Sequence, residues 1–439
     1  MKYKSISNCL TSINLSNSEG TYSASASASA SASSTGYRIN NTIKLSNDYA
    51  NISAYNLAYK TAFELLNTKD KNIIVNYTTN ITSNDCVEYI YTTPTKIKYN
   101  MPFTLFYMSK NINVNNIFQL IYNNKIISTF EPNTIFVNIP SLNDNNFISN
   151  VTINKNTGEC FTSVNLGNKV YGINKNNGTY LNTNLVKLQE PVGTEFDDKN
   201  NLYVANFLKS NINVYNSNKE LINVIEDPLF NGLGGIGFYK DDLYALNGLP
   251  INDINSKYNG LYIMFKIVIS NDNYDVSVFC TDTLSVPLFM CFDNENCYIT
   301  NFFNSTITKI DMNSGVPSIY IDKTAGLIKP RGITIDLEHN LYVSTGDVPS
   351  NSFNISKIDI NKKISIYTTK NLNSPRGMAI DIYGDQSLYI GNMPTQLTKI
   401  IRDKYVFHVV NNNLKQGNNI LIIKDITDNI IIDTIELKI

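Results

Sequence analysis

The chain has 439 residues, 42% hydrophobic and only 17% charged, so it can bury a sizeable core but is too long for one ordinary domain of roughly 150 residues. Its 36 Lys and Arg against 37 Asp and Glu leave a net charge of -1, with 11 basic against 7 acidic (+4) in residues 1–139 and 25 against 30 (-5) in the rest. That balance argues against a polyanion-binding surface, and no run of 18 apolar residues exists to span a bilayer.

Residues 1–15 are polar and lack the apolar stretch of a signal peptide, so the expectation is a soluble protein made in a cytoplasm. The heavy use of Asn, Ile, Lys and Tyr with no Trp matches AT-rich coding, as in large DNA viruses or some protists, and a virion role is one expectation from it. Cys9, Cys86, Cys160, Cys280, Cys291 and Cys297 form no Cys-x-x-Cys pair, which predicts reduced or structural thiols and no zinc or redox motif.

Residues 1–46 form a low-complexity segment in which serine and alanine alternate over 23–34. Such a run buries too little apolar area to offset its chain entropy, so a flexible spacer is predicted, with a silk-like strand as the alternative. Within 47–84, Asp48 can cap a helix carrying Tyr55, Ala58, Tyr59, Ala62, Leu65 and Leu66 at helical spacing. Residues 85–139 read as a β-rich module: strands at 87–91, 103–108 and 117–122, a turn at Asn123-Asn124, then strands at 125–130 and 134–139.

From Phe147 a strand pair recurs six times. The openers are Ser149-Asn150-Val151, Pro191-Val192-Gly193, Gly234-Gly235-Ile236, Pro287-Leu288-Phe289, Pro330-Arg331-Gly332 and Pro375-Arg376-Gly377. The second strands centre on Phe161, Tyr203, Tyr244, Tyr298, Tyr342 and Tyr389, spaced 42, 41, 54, 44 and 47 residues apart. Third strands repeat too, as in Thr308-Lys309-Ile310, Ser356-Lys357-Ile358 and Thr398-Lys399-Ile400. A period of about 40–50 with four short strands per unit marks propeller blades. Turns such as Asp197-Asp198-Lys199-Asn200 and Leu337-Glu338-His339-Asn340 suit tight hairpins that need positive φ.

Residues 403–439 continue with strands at 405–410, 419–424 and 430–438. A closed ring brings its ends together, so 85–139 and 403–439 are expected to pair into one β-sandwich into which the propeller is inserted. The alternative makes 405–410 the outer strand of the sixth blade and leaves the ends separate.

Pro330-Arg331-Gly332-Ile333-Thr334-Ile335-Asp336 with Leu341-Tyr342-Val343, and Pro375-Arg376-Gly377-Met378-Ala379-Ile380-Asp381 with Leu388-Tyr389-Ile390, resemble the NHL repeat. The resemblance covers about 255 residues and implies an all-β, six-bladed propeller over 140–402 with a small flanking β-rich module. Cys160 and Cys297 fall where other repeats have Leu202, Leu243, Leu341 and Leu388, so buried small hydrophobes are expected there.

Similar propellers of the gluconolactonase and paraoxonase kind hold a divalent metal over the tunnel, commonly with Asn or Asp just ahead of the opener glycine. Here that site holds Val192, Gly234, Leu288, Arg331, Arg376 and Ser149, so the metal pattern of that superfamily is not matched. The amidating lyases, which resemble NHL propellers, use histidine-bound zinc, and this chain has only His339 and His408. No cofactor, metal or catalytic residue is therefore assigned.

Two constellations remain. Asn206, Asn247, Asn301 and Asn392 each follow a second-strand aromatic by three residues and could ring one face toward a polar ligand such as a glycan; their alternative role is to cap the following turn. Arg331 and Arg376, in adjacent repeats near the tunnel mouth, could clamp a carboxylate or phosphate, or be structural. Lys309, Lys357 and Lys399 could line a basic stripe for RNA, diluted by Asp311 and Asp359. The reading favoured by sequence is a non-catalytic propeller making protein or glycan contacts. Its alternatives are a hydrolase or lyase at the tunnel mouth and an RNA-binding domain.

Overall fold

The computed structural model describes residues 3–17, 20–34, 74–84, 90–93, 102–108, 112–139, 146–270, 273–347, 352–382, 384–402, 404–410 and 414–438. Six four-stranded antiparallel sheets make a propeller. Their innermost strands are Ile148–Ile153, Pro191–Phe196, Leu233–Tyr239, Pro287–Phe292, Ile333–Ile335 and Met378–Ile380, for blades one to six in chain order. Each packs on the next, and the sixth packs on the first, which closes the ring.

The repeat positions find a physical role in each blade. Second-strand aromatics are buried, from Tyr389 at 0% exposure to Tyr298 at 7%. Four of them meet an aromatic of the same blade's outer strand edge-on: Tyr244 with Phe279, Tyr298 with Tyr320, Tyr342 with Tyr367 and Tyr389 with Phe136. Cys160 and Cys297 are buried as expected, and burial pushes the Cys160 thiol up to about 12, which makes it inert. The opener glycines allow close approach of neighbouring blades, since a Cβ on Gly332 would run into the Arg376 carbonyl and one on Gly377 into Asn150.

Hairpins between first and second strands share one device. Asp197, Asp293 and Asp336 each accept backbone N–H groups of their own turn, the amide of an Asn and the hydroxyl of the second-strand Tyr. Asn200 and His339 take the positive φ the turn requires, 67° and 61°.

The outer strand of blade six is Asn133–Asn138, paired antiparallel with Gln396–Ile400. The run expected at 134–139 in the flanking module thus belongs to the ring, sealed by chain from the far side of the sequence. Nor is 405–410 that outer strand: Lys404–Val409 pairs with Phe103–Met108, which in turn pairs with Ile90–Thr93. Asn418–Asp425 lies between Phe118–Tyr122 and Ile430–Lys438, and Lys125–Phe130 completes that sheet. The two small sheets share one apolar core that includes Phe103, Leu105, Phe118, Leu120, Phe130, Tyr405, Phe407, Leu421 and Ile423, so both flanks of the propeller build one sandwich.

Farther toward the N-terminus, Gly20–Ser34 is a strand paired with Tyr3–Asn17, which also pairs with Ile74–Asn84. The Ser-Ala alternation thus lies within a strand of this sheet, where a flexible spacer was the expectation. The helix expected from Asp48 lies outside the described residues. Among the described residues no helix is long and apolar enough to cross a membrane.

Candidate functional site

The two ends of the ring differ in how their loops are held. At one end, here the mouth, each inner strand begins and each second strand finishes. Asn206, Asn247, Asn301 and Asn392 all lie there, each with 0% exposure. Their Oδ1 atoms accept the backbone N–H groups of Gln189, Asn231, Ser285 and Asn373, which belong to the connections entering the same blades. Their Nδ2 groups are also spent inside the protein: Asn206 donates to Asn211, Asn247 to the Leu229 carbonyl, Asn301 to Thr306 and Thr308, and Asn392 to Thr398. With both amide ends used and no exposed surface, these residues lock loops, and the ligand-facing ring expected of them is not what the geometry builds.

Neighbouring blades are stitched at the same level by hydroxyls that the sequence reading missed. Ser163 donates to the Val192 carbonyl at 2.7 Å, Ser344 donates to the Arg376 carbonyl at 2.8 Å and Thr300 donates to the Arg331 carbonyl. Each occupies the position two residues after a second-strand aromatic. That recurrence was the available signal.

Two of these bonds hold the backbone of Arg331 and Arg376 themselves, just ahead of the inner strands of blades five and six. Arg331 is 3% exposed, donates from Nη1 to Ser374 Oγ at 3.1 Å and has its guanidinium carbon 5.4 Å from the centre of the Phe302 ring. Arg376 lies 4.4 Å over the Phe147 ring, with Nη2 3.8 Å from Met393 Sδ and with Nε buried and lacking a hydrogen-bond partner. Burial and the adjacent Arg331 charge pull Arg376 down to about 10. The structure therefore does bring the two arginines together. A pair of desolvated guanidiniums on aromatic faces is an arrangement that an anion relieves.

Deeper in the ring, three residues beyond Val192, Glu195 stands on the inner strand of blade two. It accepts from the Thr152 hydroxyl at 3.4 Å and from the Phe196 N–H at 2.9 Å, and loss of solvent raises it to about 7. A carboxyl poised at neutrality can give or take a proton. Blade two faces blade five across a six-bladed ring, so Glu195 and Arg331 sit on opposite walls. Sequence reading passed over Glu195, because one acidic residue in an alternating strand carries no local signature.

His339 is exposed in its hairpin turn, and His408 bonds through Nδ1 with Thr104 Oγ1 at 2.9 Å. Lys309 and Lys357 are half-buried, whereas Lys399 is 8% exposed and faces a cavity, so the three make no common stripe. Among the described residues no cluster of three or more His, Cys, Asp and Glu offers a metal site.

No protein-family profile and no curated protein matches the chain. Among solved structures, it is similar to a gluconolactonase from Xanthomonas campestris at 13% identity, with 58% of this chain and 86% of that one covered and a TM-score of 0.48. A virginiamycin B lyase from Staphylococcus aureus is similar at 15% identity, covering 70% of this chain and 98% of that one, with a TM-score of 0.44. A streptogramin B lyase is similar at 16% identity over 64% of this chain and 97% of that one, also with a TM-score of 0.44. All three are enzymes by name. Those names stand against the non-catalytic binding reading expected from sequence, while the likeness itself extends to the fold alone; the hydrolase or lyase alternative is developed from the geometry of this chain.

Proposed function

We propose that this NHL-type propeller is a hydrolase or lyase that acts at the mouth of its tunnel on a substrate bearing, or developing, negative charge. The observation that carries the reading is the paired placement of Arg331 and Arg376 just ahead of adjacent inner strands, each on an aromatic ring, with Arg376 pulled down by burial and then by the Arg331 charge. Two guanidiniums at one opening orient an anionic group and stabilise charge as it forms in an acyl or eliminating transition state. Glu195, near 7 on the facing wall, supplies a proton acceptor for water or carbon acid when ionised and a donor when neutral.

The test is turnover of a panel of lactones and carboxylate-bearing esters, followed by NMR, with wild type, Arg376→Gln and Glu195→Gln. Arg376→Gln is expected to lower kcat/KM by about 100-fold, the scale of one lost oxyanion donor. Glu195→Gln should lower kcat with little change in KM and remove the limb of the pH profile near 7. Equal turnover by all three proteins, or no turnover of any compound, rejects the proposal.

A further inference from the structure

The position just ahead of the opener glycine, or of the residue that replaces it, divides the mouth into unlike halves. In ring order from blade one it holds Ser149, Val192, Gly234, Leu288, Arg331 and Arg376. Blades five, six and one thus contribute two guanidiniums and a hydroxyl, and blades two to four contribute two branched apolar side chains with none between them. Val192 and Leu288 come from blades on either side of Gly234, yet both pack against one apolar cluster that includes Phe289, and each keeps part of its surface exposed.

The same division recurs farther out. Five residues after the second-strand aromatic, in the loop that follows, blades two, three and four carry Leu208, Leu249 and Phe303 at 66%, 43% and 78% exposure. The two arginine blades have Asp347 and Pro394 there, and Leu166 continues the apolar side into blade one. Single exposed apolar residues are ordinary on a protein surface, but their recurrence at one repeat position on one side of an opening marks a place where apolar matter is received.

On the polar side two buried groups are left over. Arg376 Nε is one. Ser149, its neighbour in the ring, is 2% exposed, and its carbonyl accepts the Gly377 N–H at 2.9 Å, which ties it to the blade of Arg376. Its hydroxyl, however, has no hydrogen-bond partner among the described residues. Buried donors without acceptors cost the fold stability, and one anion can accept from both.

We infer that the mouth takes a carboxylate with an apolar arm, its anionic end held by Arg376 and Ser149 and its arm laid over Gly234 between Val192 and Leu288. The inference rests on the anion reading of the mouth proposed above and names the substrate class of that site. Ring order sets the direction of the arm. Blade three faces blade six across a six-bladed ring, so Gly234 stands opposite Arg376, and its lack of a side chain leaves room between two apolar walls. At the other end, the planar fork of a guanidinium matches a planar carboxylate.

The test is an NMR titration of the full chain with acetate and with hydrocinnamate, a carboxylate bearing a phenylethyl arm, read beside the melting temperature of each variant. Wild type is expected to bind hydrocinnamate about 10-fold or more tightly than acetate, because burial of the arm adds to the same anionic contact. Leu288→Ser and Phe303→Ser should each narrow that ratio to about 3-fold and leave acetate binding as it was. Phe303 is exposed, so its variant keeps the measurement interpretable if Leu288→Ser disturbs folding. Ser149→Ala should weaken both acids about 10-fold with an unchanged melting temperature, since the hydroxyl it removes serves the ligand and not the fold. Arg376→Gln should remove binding of both. Equal affinity of wild type for the two acids, a ratio untouched in both Leu288→Ser and Phe303→Ser, or full affinity in Ser149→Ala overturns the inference while leaving the arginine pair as an anion site. Failure of wild type to bind either acid takes the anion reading of the mouth with it, so the two failures are told apart.

Discussion

The two ends of the propeller handle charge in opposite ways. At the mouth, neutral amides of Asn206, Asn247, Asn301 and Asn392 hold the loops, while Arg331 and Arg376 crowd one another on aromatic rings. At the other end aspartates hold the hairpins and lysines and arginine answer them, as in Arg402 Nη2 on Asp336 at 3.0 Å and Lys175 on Asp381. The difference teaches where the molecule invests its ion pairs: at the end joined to the sandwich, not at the end proposed to meet substrate. Cations set beside cations at the mouth are a poor way to stabilise a fold and a good way to hold an anion.

The sharpest way to break this comparison is to cut the buried pair. Arg402 and Asp336 have side-chain exposures of 6% and 2%, and Asp336 also holds the hairpin of blade five through Asn340 and Tyr342. Arg402→Met strands a buried carboxylate and should cost about 3–5 kcal/mol in urea unfolding. Arg376→Met, at the mouth, should leave stability unchanged or slightly raised. Equal losses from the two changes would erase the distinction between the ends.

A smaller effect is expected from the amides. Asn301→Ala leaves the Ser285 N–H without its acceptor and the Thr306 and Thr308 hydroxyls without their donor, in a site with no solvent. A loss of about 1–3 kcal/mol follows. Asn301→Asp should not rescue it, because an acceptor-only carboxylate cannot donate to the threonines. Full stability of either variant would return this position to the surface-facing role expected from sequence.

How much of this was legible beforehand depends on the range of the interactions. The openers and the second-strand aromatics recur in sequence because each blade repeats one local packing problem, so the six-bladed ring could be read from them. Ring closure could not, since Asn133–Asn138 reaches blade six from about 260 residues upstream and looks like any other alternating strand. The recurrence of the asparagines was visible, but their role was left open between ligand and turn, because an amide's polarity reads the same whether it meets a ligand or a loop. The adjacency of Arg331 and Arg376 followed from the repeat, while Phe302, Phe147 and Met393 beside them lie on other loops. Lys175 on Asp381 joins blades one and six across about 200 residues of chain, which no local motif shows.

The finest test lies between the two ends, at Glu195, and turns on pH. Its carboxyl is raised from an ordinary 4.5 to about 7 by loss of solvent, so the folded state binds its proton more tightly than the unfolded state. The stabilisation this brings is complete below 4.5 and disappears as pH rises through 7, when the folded protein must bury the carboxylate. Glu195→Gln keeps the shape without the charge. It should therefore match wild type in Tm near pH 5 and exceed it near pH 8, by about 1 kcal/mol once the side chain's remaining solvent contact is discounted. A variant less stable at pH 8 than wild type would mean that the ionised carboxylate has a cation partner in the tunnel, and would move the positive charge of the mouth down toward the middle of the ring.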